Sequence, residues 1–202
     1  SVVAAASNAA KIAAQNGGFT TFISEPIMTG EIQLVGLSDL EEASKTILSH
    51  QEELASAIDS LNPALAAAGG GFSDIEVKPF HVSPAGPFLV VYVSLNVADA
   101  MGANAINSAL EHVAPMIEGW TGGKARLRIL TNLADRRLAK AECILKPETL
   151  ATPEYSGEEV RNRILDGAAL SEVDVYRTVT HNKGIFNGID AVLIACGNDW
   201  RA

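Results

Sequence analysis

The chain has 202 residues, 48% of them hydrophobic and 19% charged, a balance that suits one large or two small globular domains and is too apolar for disorder. A net charge of −9 argues against general nucleic-acid binding, which needs a basic surface to neutralise phosphates. Two isolated cysteines exclude a disulfide framework, and no apolar run approaches the roughly 18 residues of a membrane span.

In chain order, Val2 to Ala14 is Ala-rich and helix-prone, closed by Gly17-Gly18. The N-terminus, Ser1-Val2-Val3-Ala4-Ala5-Ala6-Ser7, lacks an initiator Met and a charged n-region, so it does not read as a signal peptide. Past Pro26 the pattern changes. Glu31 to Leu37 reads as a strand, and Leu40 to Leu61 as one helix with Leu40, Ala43, Ile47, Leu54, Ile58 and Leu61 on a single stripe. Asn62-Pro63 and Gly69-Gly70-Gly71 close that region. A second strand is expected over Ile75 to Val82, weakened by Pro79, and a third over Phe88 to Val97, where apolar and polar residues alternate.

Asp99 is the expected N-cap of the next helix, along which Ile106, Leu110, Val113 and Ile117 recur. Ala125, Leu127 and Ile129 then mark a fourth strand, whose other face carries Lys124, Arg126 and Arg128. The order β-α-β-β-α-β is the ferredoxin-like, split-βαβ pattern. The expectation is an α+β chain with that small domain at residues 26–131, inserted in a larger, mainly helical domain formed by 1–25 and 132–202. Leu133 to Leu145 is left open between helix and strand. Ser156 and Glu159 form a capping box, and a last helix is expected from Asn182 to Cys196, with Gly197 just beyond.

Two stretches carry candidate chemistry. On the last helix, Ile185, Ile189, Val192 and Cys196 share a stripe, with Lys183, Asn187 and Asp190 on the opposite one. Gly184 and Gly188 each cost about 1 kcal/mol of helix propensity, and they thin the helix for a neighbour or ligand. Spacing leaves two readings open: a solvated polar face, or a Lys–Asn pair presented to a cleft. In the second, a charged Lys183 would stabilise an oxyanion, whereas a desolvated, neutral amine would form a Schiff base. At the other stretch, Asp99-Ala100-Met101-Gly102-Ala103-Asn104 lies at a strand-to-helix junction, where Gly102 would let a phosphate reach backbone N–H groups. It is not GxGxxG. Asn104 and Asn107 favour a polar ligand, and Arg136-Arg137 suits either solvent or a phosphate. The four histidines have no partner at metal-ligand spacing, so no metal is expected, and His181 reads as a structural hydrogen bonder.

Together these stretches resemble the 3-hydroxy-3-methylglutaryl-coenzyme A (HMG-CoA) reductase family, in its class II, soluble bacterial and archaeal branch. The resemblance rests on Ser1-Val2-Val3-Ala4-Ala5-Ala6-Ser7, on residues 99–104, and on Thr131-Asn132-Leu133-Ala134-Asp135. It continues through Thr180-His181-Asn182-Lys183-Gly184-Ile185, Asn187-Gly188-Ile189-Asp190 and Gly197-Asn198-Asp199-Trp200-Arg201-Ala202. It implies a cytoplasmic, homodimeric oxidoreductase that takes HMG-CoA to mevalonate and free coenzyme A with two hydrides from NADPH or NADH, or runs the reverse oxidation. It also implies roles: Lys183 as the oxyanion-stabilising cation, and Asp199 as the carboxylate in its network. Asn187 would fix that network, Arg177 would hold the HMG carboxylate, and Ser1 would touch substrate. Asp99, Met101, Gly102, Asn104 and Asn132 would line the dinucleotide site.

The family's catalytic Glu would precede Ser1 and its flap His would follow Ala202, so the expectation is an internal piece that does not turn over alone. Asn62 stands where NADH-preferring members carry an acid that would repel a 2′-phosphate, which implies that NADPH is tolerated. Two other readings are a Schiff-base lyase or aldolase acting through Lys183, which borohydride would trap, and a non-catalytic ferredoxin-like binding module indifferent to Lys183.

Overall fold

The computed structural model describes residues 2–198 and Trp200. Ser1 and Asp199, two of the candidate site residues, lie outside the described residues. The elements run α1 (Val2–Gln15), β1 (Thr20–Ile23), β2 (Ile27–Val35), α2 (Leu40–Ser49), α3 (Gln51–Leu61), α4 (Pro63–Ala67) and β3 (Gly71–Phe80). They continue with β4 (Phe88–Asn96), α5 (Ala103–Thr121), β5 (Lys124–Leu130), β6 (Ala139–Glu142), a 3₁₀ turn (Pro147–Leu150), α6 (Gly157–Val173) and α7 (Val175–Ala195). Two compact units result, one of residues 21–140 and one of residues 1–20 with 141–202. Among the described residues no helix is long and apolar enough to cross a membrane.

The 21–140 unit is built on a four-stranded antiparallel sheet in the order β3-β4-β2-β5. Strand β4 is central, and its alternation decides which face is covered: Leu89, Val91, Val93 and Leu95 enter the core. They meet Ile32 and Leu34 of β2, Ile47 of α2, Leu54 and Ile58 of α3, and Ile106, Leu110, Val113 and Ile117 of α5. Pro79 is accommodated because β3 is an edge strand, where a missing N–H costs no ladder bond on the open side.

The helix expected over Leu40 to Leu61 is two helices. The chain breaks at His50 (φ −102°, ψ 19°), whose ring donates from Nδ1 to Thr46 O at 2.8 Å and stacks 4.3 Å from the Trp120 ring. Asp39 caps α2, accepting from the Glu41 and Glu42 N–H groups at 2.9 and 3.0 Å. Asn62-Pro63 starts the short helix α4 rather than a plain loop, with Asn62 Oδ1 accepting from Leu65 N. The second strand starts four residues earlier than Ile75, at Gly71, and ends at Phe80. The segment left open contains β6, which pairs with β1 in an exposed ribbon.

In the other unit, Asn16 closes α1 onto the 3₁₀ turn: its amide donates to Ile12 O and Thr149 Oγ1 and accepts from Lys146 N, at 2.8 to 2.9 Å. Ser156 accepts from Glu159 N at the start of α6, half of the expected capping box. A Cβ at Gly157 would overlap the Pro147 carbonyl, so only glycine fits there. Asp174 ends α6 and caps α7, accepting from Arg177 N at 2.8 Å. Helix α7 therefore starts seven residues before Asn182. Among the described residues of this unit only Ala13 and Gly157 are buried, and large apolar side chains of α6 and α7 such as Leu165, Phe186 and Val192 are exposed.

Candidate functional site

In the 21–140 unit four of the candidate dinucleotide residues, Asp99, Met101, Gly102 and Asn104, lie where β4 leaves the sheet. Val97 N donates to Pro26 O at 2.9 Å, and Asn96 Oδ1 accepts from Ala98 N at 2.9 Å, starting a tight turn. Ala98 sits at φ +50°, the one non-glycine with positive φ among the described residues. Ala100 N donates back to Val97 O. The turn ends at Gly102 (φ +97°), where an added Cβ would stand 2.8 Å from Val97 Cγ1 and 3.0 Å from Met28 Cγ. Glycine is thus required there twice over, by backbone conformation and by space.

Gly102, not Asp99, is the N-cap of α5, and no side chain caps it. Asp was the stronger cap by residue type, but the turn through Ala98 spends Asp99 before the helix begins. Asp99 is exposed in the turn, and the Met101 and Asn104 side chains are exposed at the helix entrance. The uncapped first-turn N–H groups of a 19-residue helix carry positive partial charge. Asn107, read as a ligand group, is occupied structurally: its Oδ1 accepts from Leu130 N at 3.0 Å.

Asn132 is exposed just past β5, and its carbonyl accepts from Ala134 N. Two consecutive arginines tie the segment that carries it down, Arg136 to the sheet and Arg137 to the Asp99 turn. Arg136 Nη1 reaches Asp74 Oδ2 at 2.7 Å and Ser94 Oγ at 3.2 Å on the sheet. Arg137 donates from Nη1 to Met101 O at 2.6 Å and from Nη2 to Ala100 O at 2.8 Å. Both guanidinium groups, left open by sequence between solvent and phosphate, have protein partners. A cleft of about 680 Å³ is lined by Asn96, Ala98, Asp99 and Arg137, with Gly69 and Ser24. Sequence reasoning did not single out Arg137 as a partner of the turn; the paired Arg136-Arg137 was its only local signal. The basic strand face behaves as a solvated one, with Arg128 Nε 2.8 Å from Glu111 and Lys124 near Glu118.

In the other unit α7 carries Arg177, Lys183 and Asn187 on one continuous helix of 21 residues. Lys183 and Asn187 are one turn apart on the same face and exposed. Arg177 lies six residues before Lys183, about 9 Å along the axis and off that face by about 120°. Among the described residues nothing beyond the helix's own backbone lies within 4 Å of where a Cβ at Gly184 or Gly188 would stand, so the helix is thin beside Lys183. His181 is exposed on the same helix. Among the described residues no group of three or more His, Cys, Asp or Glu is arranged to hold a metal ion.

A sequence model of the hydroxymethylglutaryl-coenzyme A reductase family matches residues 1–202. The chain is 44% identical over 202 residues to the 3-hydroxy-3-methylglutaryl-coenzyme A reductase of Archaeoglobus fulgidus, covering all of this chain and 45% of that protein. It is 32% identical to a probable reductase of the same name from Borreliella burgdorferi, again over 45% of its length. A solved structure of the Streptococcus pneumoniae reductase superimposes with a TM-score of 0.91 at 39% identity, over 99% of this chain and 54% of that one. A second, the class II enzyme of that organism bound to NADPH in open conformations, gives 0.91 at 38% identity, over 99% and 48%. The chain spans about half the length of the curated relatives it matches. With its full length matched by the family model, the chain belongs to the hydroxymethylglutaryl-coenzyme A reductase family.

Proposed function

We propose that this chain supplies part of the catalytic machinery of an HMG-CoA reductase. The reaction consumes one HMG-CoA, two NAD(P)H and two protons, and yields mevalonate, two NAD(P)⁺ and free coenzyme A; the reverse oxidation uses the same groups. The observation that carries the reading is the single helix α7, which presents Arg177, Lys183 and Asn187 within three turns. Each hydride that reaches a carbonyl carbon leaves negative charge on oxygen, and a fixed ammonium opposes that charge where water is excluded. Lys183 takes this role, with Asn187 and Asp199 in its hydrogen-bond network. Arg177 pairs with the HMG carboxylate as a bidentate fork, and Ser1 touches substrate.

The dinucleotide is assigned to the Asp99 turn: Asp99, Met101, Gly102, Asn104 and Asn132. The uncapped α5 N-terminus, with no side chain at Gly102, supports this assignment, as does the NADPH bound to the class II relative. We read the β-α-β-β-α-β unit as a ferredoxin-like small domain, residues 26–131, inserted in a mainly helical substrate domain of 1–25 and 132–202. A cytoplasmic homodimer with sites at its subunit interface completes the proposal, and the exposed apolar side chains of α6 and α7 support an assembly that covers them.

The test is a coupled assay on the intact protein. Oxidation of NADPH that depends on HMG-CoA, with two cofactors consumed per thiol released, is the expected result. Cofactor oxidation without thiol release, or none at all, would sink the proposal.

A further inference from the structure

We propose that Arg137 is a positioning residue for the dinucleotide, holding the Ala100–Gly102 turn in the shape that offers its amides to phosphate. This rests on the cofactor assignment just made. The guanidinium holds two consecutive carbonyls, Ala100 O at 2.8 Å and Met101 O at 2.6 Å. A trans peptide points its N–H opposite to its C=O. Fixing those two carbonyls therefore fixes the directions of the Met101 and Gly102 N–H groups, aimed away from Arg137. Neither amide meets an acceptor among the described residues. Two adjacent amides with fixed direction and no acceptor form a small anion-binding nest, continued by the α5 N-terminus.

The backbone of this turn needs such a hold. Within five residues it passes φ +50° at Ala98 and φ +97° at Gly102, and the first, at a residue with a Cβ, persists only when the surroundings over-determine it. Asn96 and Val97 anchor the turn on the strand side; Arg137 anchors its far side. The anchor is itself fixed, because Arg137 N donates to Ala134 O and the neighbouring Arg136 is tied to Asp74 and Ser94 of the sheet. A planar fork holds two carbonyls in fixed directions, whereas the rotatable ammonium of lysine would hold them less rigidly.

The experiment measures Kd for NADPH, NADH and HMG-CoA in the intact protein and in Arg137→Gln and Arg137→Lys, together with amide exchange of the ligand-free proteins. With the turn ordered a tenth of the time, Arg137→Gln should raise Kd about ten-fold for both dinucleotides alike, with lysine intermediate. The Kd for HMG-CoA should stay within two-fold (about the scatter of such titrations). The Ala98 and Ala100 amides, both hydrogen-bonded in the turn, should exchange faster in Arg137→Gln without any ligand. Loss confined to NADPH would mean a direct contact with its 2′-phosphate and overturn the positioning role. Unchanged dinucleotide binding in both variants would overturn it too. Wild-type protein that binds neither dinucleotide would overturn the cofactor assignment beneath it, an outcome distinct from the other two.

Discussion

Gly30, in the middle of β2, lies directly under Leu110 of α5: a Cβ at Gly30 would stand 2.6 Å from Leu110 Cδ1 and 2.8 Å from Ile106 Cγ1. The helix that presents Gly102 and Asn104 is thus seated on the sheet at the closest approach a backbone allows. Gly30→Ala must push α5 outward or force its side chains off their rotamers, a cost of about 1 to 3 kcal/mol. A urea melt should show a lower midpoint with an unchanged slope. A midpoint equal to that of the parent would mean that α5 yields without cost.

The two units differ in what they bury, and this predicts how the 202-residue chain behaves. The 21–140 unit has a continuous core from Ile32 to Ile117, whereas α6 contributes only Gly157 and α7 no buried residue. Isolated helices of 17 and 21 residues are marginal in water without packing. Hydrogen exchange on this chain should leave β2, β4 and α5 amides protected far longer than those of α6 and α7. Equal protection of both units would contradict the reading.

How much of this was legible follows from particular residues. Strand β4 declared itself because Leu89, Val91, Val93 and Leu95 alternate along it, whereas β2 starts four residues before the expected Glu31 and β5 leaves Leu127 and Ile129 exposed. The break at His50 did not, since Ile47 and Leu54 are seven apart and two helical turns keep them in phase across the interruption. Strands β1 and β6 are four residues long and fully exposed, so no alternation marks them. The start of α7 was signalled by Asp174, a cap residue three before Arg177, but the polar face after Asn182 drew the boundary later. Lys183 and Asn187 share a face by periodicity alone. The bonds from Arg137 to Ala100 and Met101 cross 36 or more positions and exist only once the sheet has formed.

Asn62 offers a clean test of cofactor choice. Its side chain caps α4 by accepting from Leu65 N at 3.1 Å, and aspartate caps equally well. Asn62→Asp should therefore leave the melting temperature unchanged while adding a charge where the resemblance puts the ribose acid. In the intact protein kcat/KM for NADPH should fall about ten-fold, and that for NADH should hold or rise. A parallel loss with both cofactors would show that position 62 lies away from the 2′-phosphate.

Lys183 is the sharpest case, because its two chemistries leave different traces. The ammonium is exposed on α7, one turn before Asn187, and the helix is thin beside it at Gly184 and Gly188. In the proposed reaction, charge appears on oxygen only as hydride arrives, so the lysine acts on the transition state more than on bound HMG-CoA. Lys183→Ala in the intact protein should lower kcat about 10²- to 10³-fold, the loss seen when one oxyanion donor is removed, and change KM for HMG-CoA little. Lys183→Arg should recover only part of the rate, since a planar guanidinium cannot reproduce the geometry of a point charge. Borohydride added with substrate should leave the mass of the chain unchanged, because the proposed reaction passes through no imine. A reduced adduct at Lys183 would instead establish Schiff-base chemistry, and an undiminished kcat in Lys183→Ala would remove the residue from the mechanism altogether.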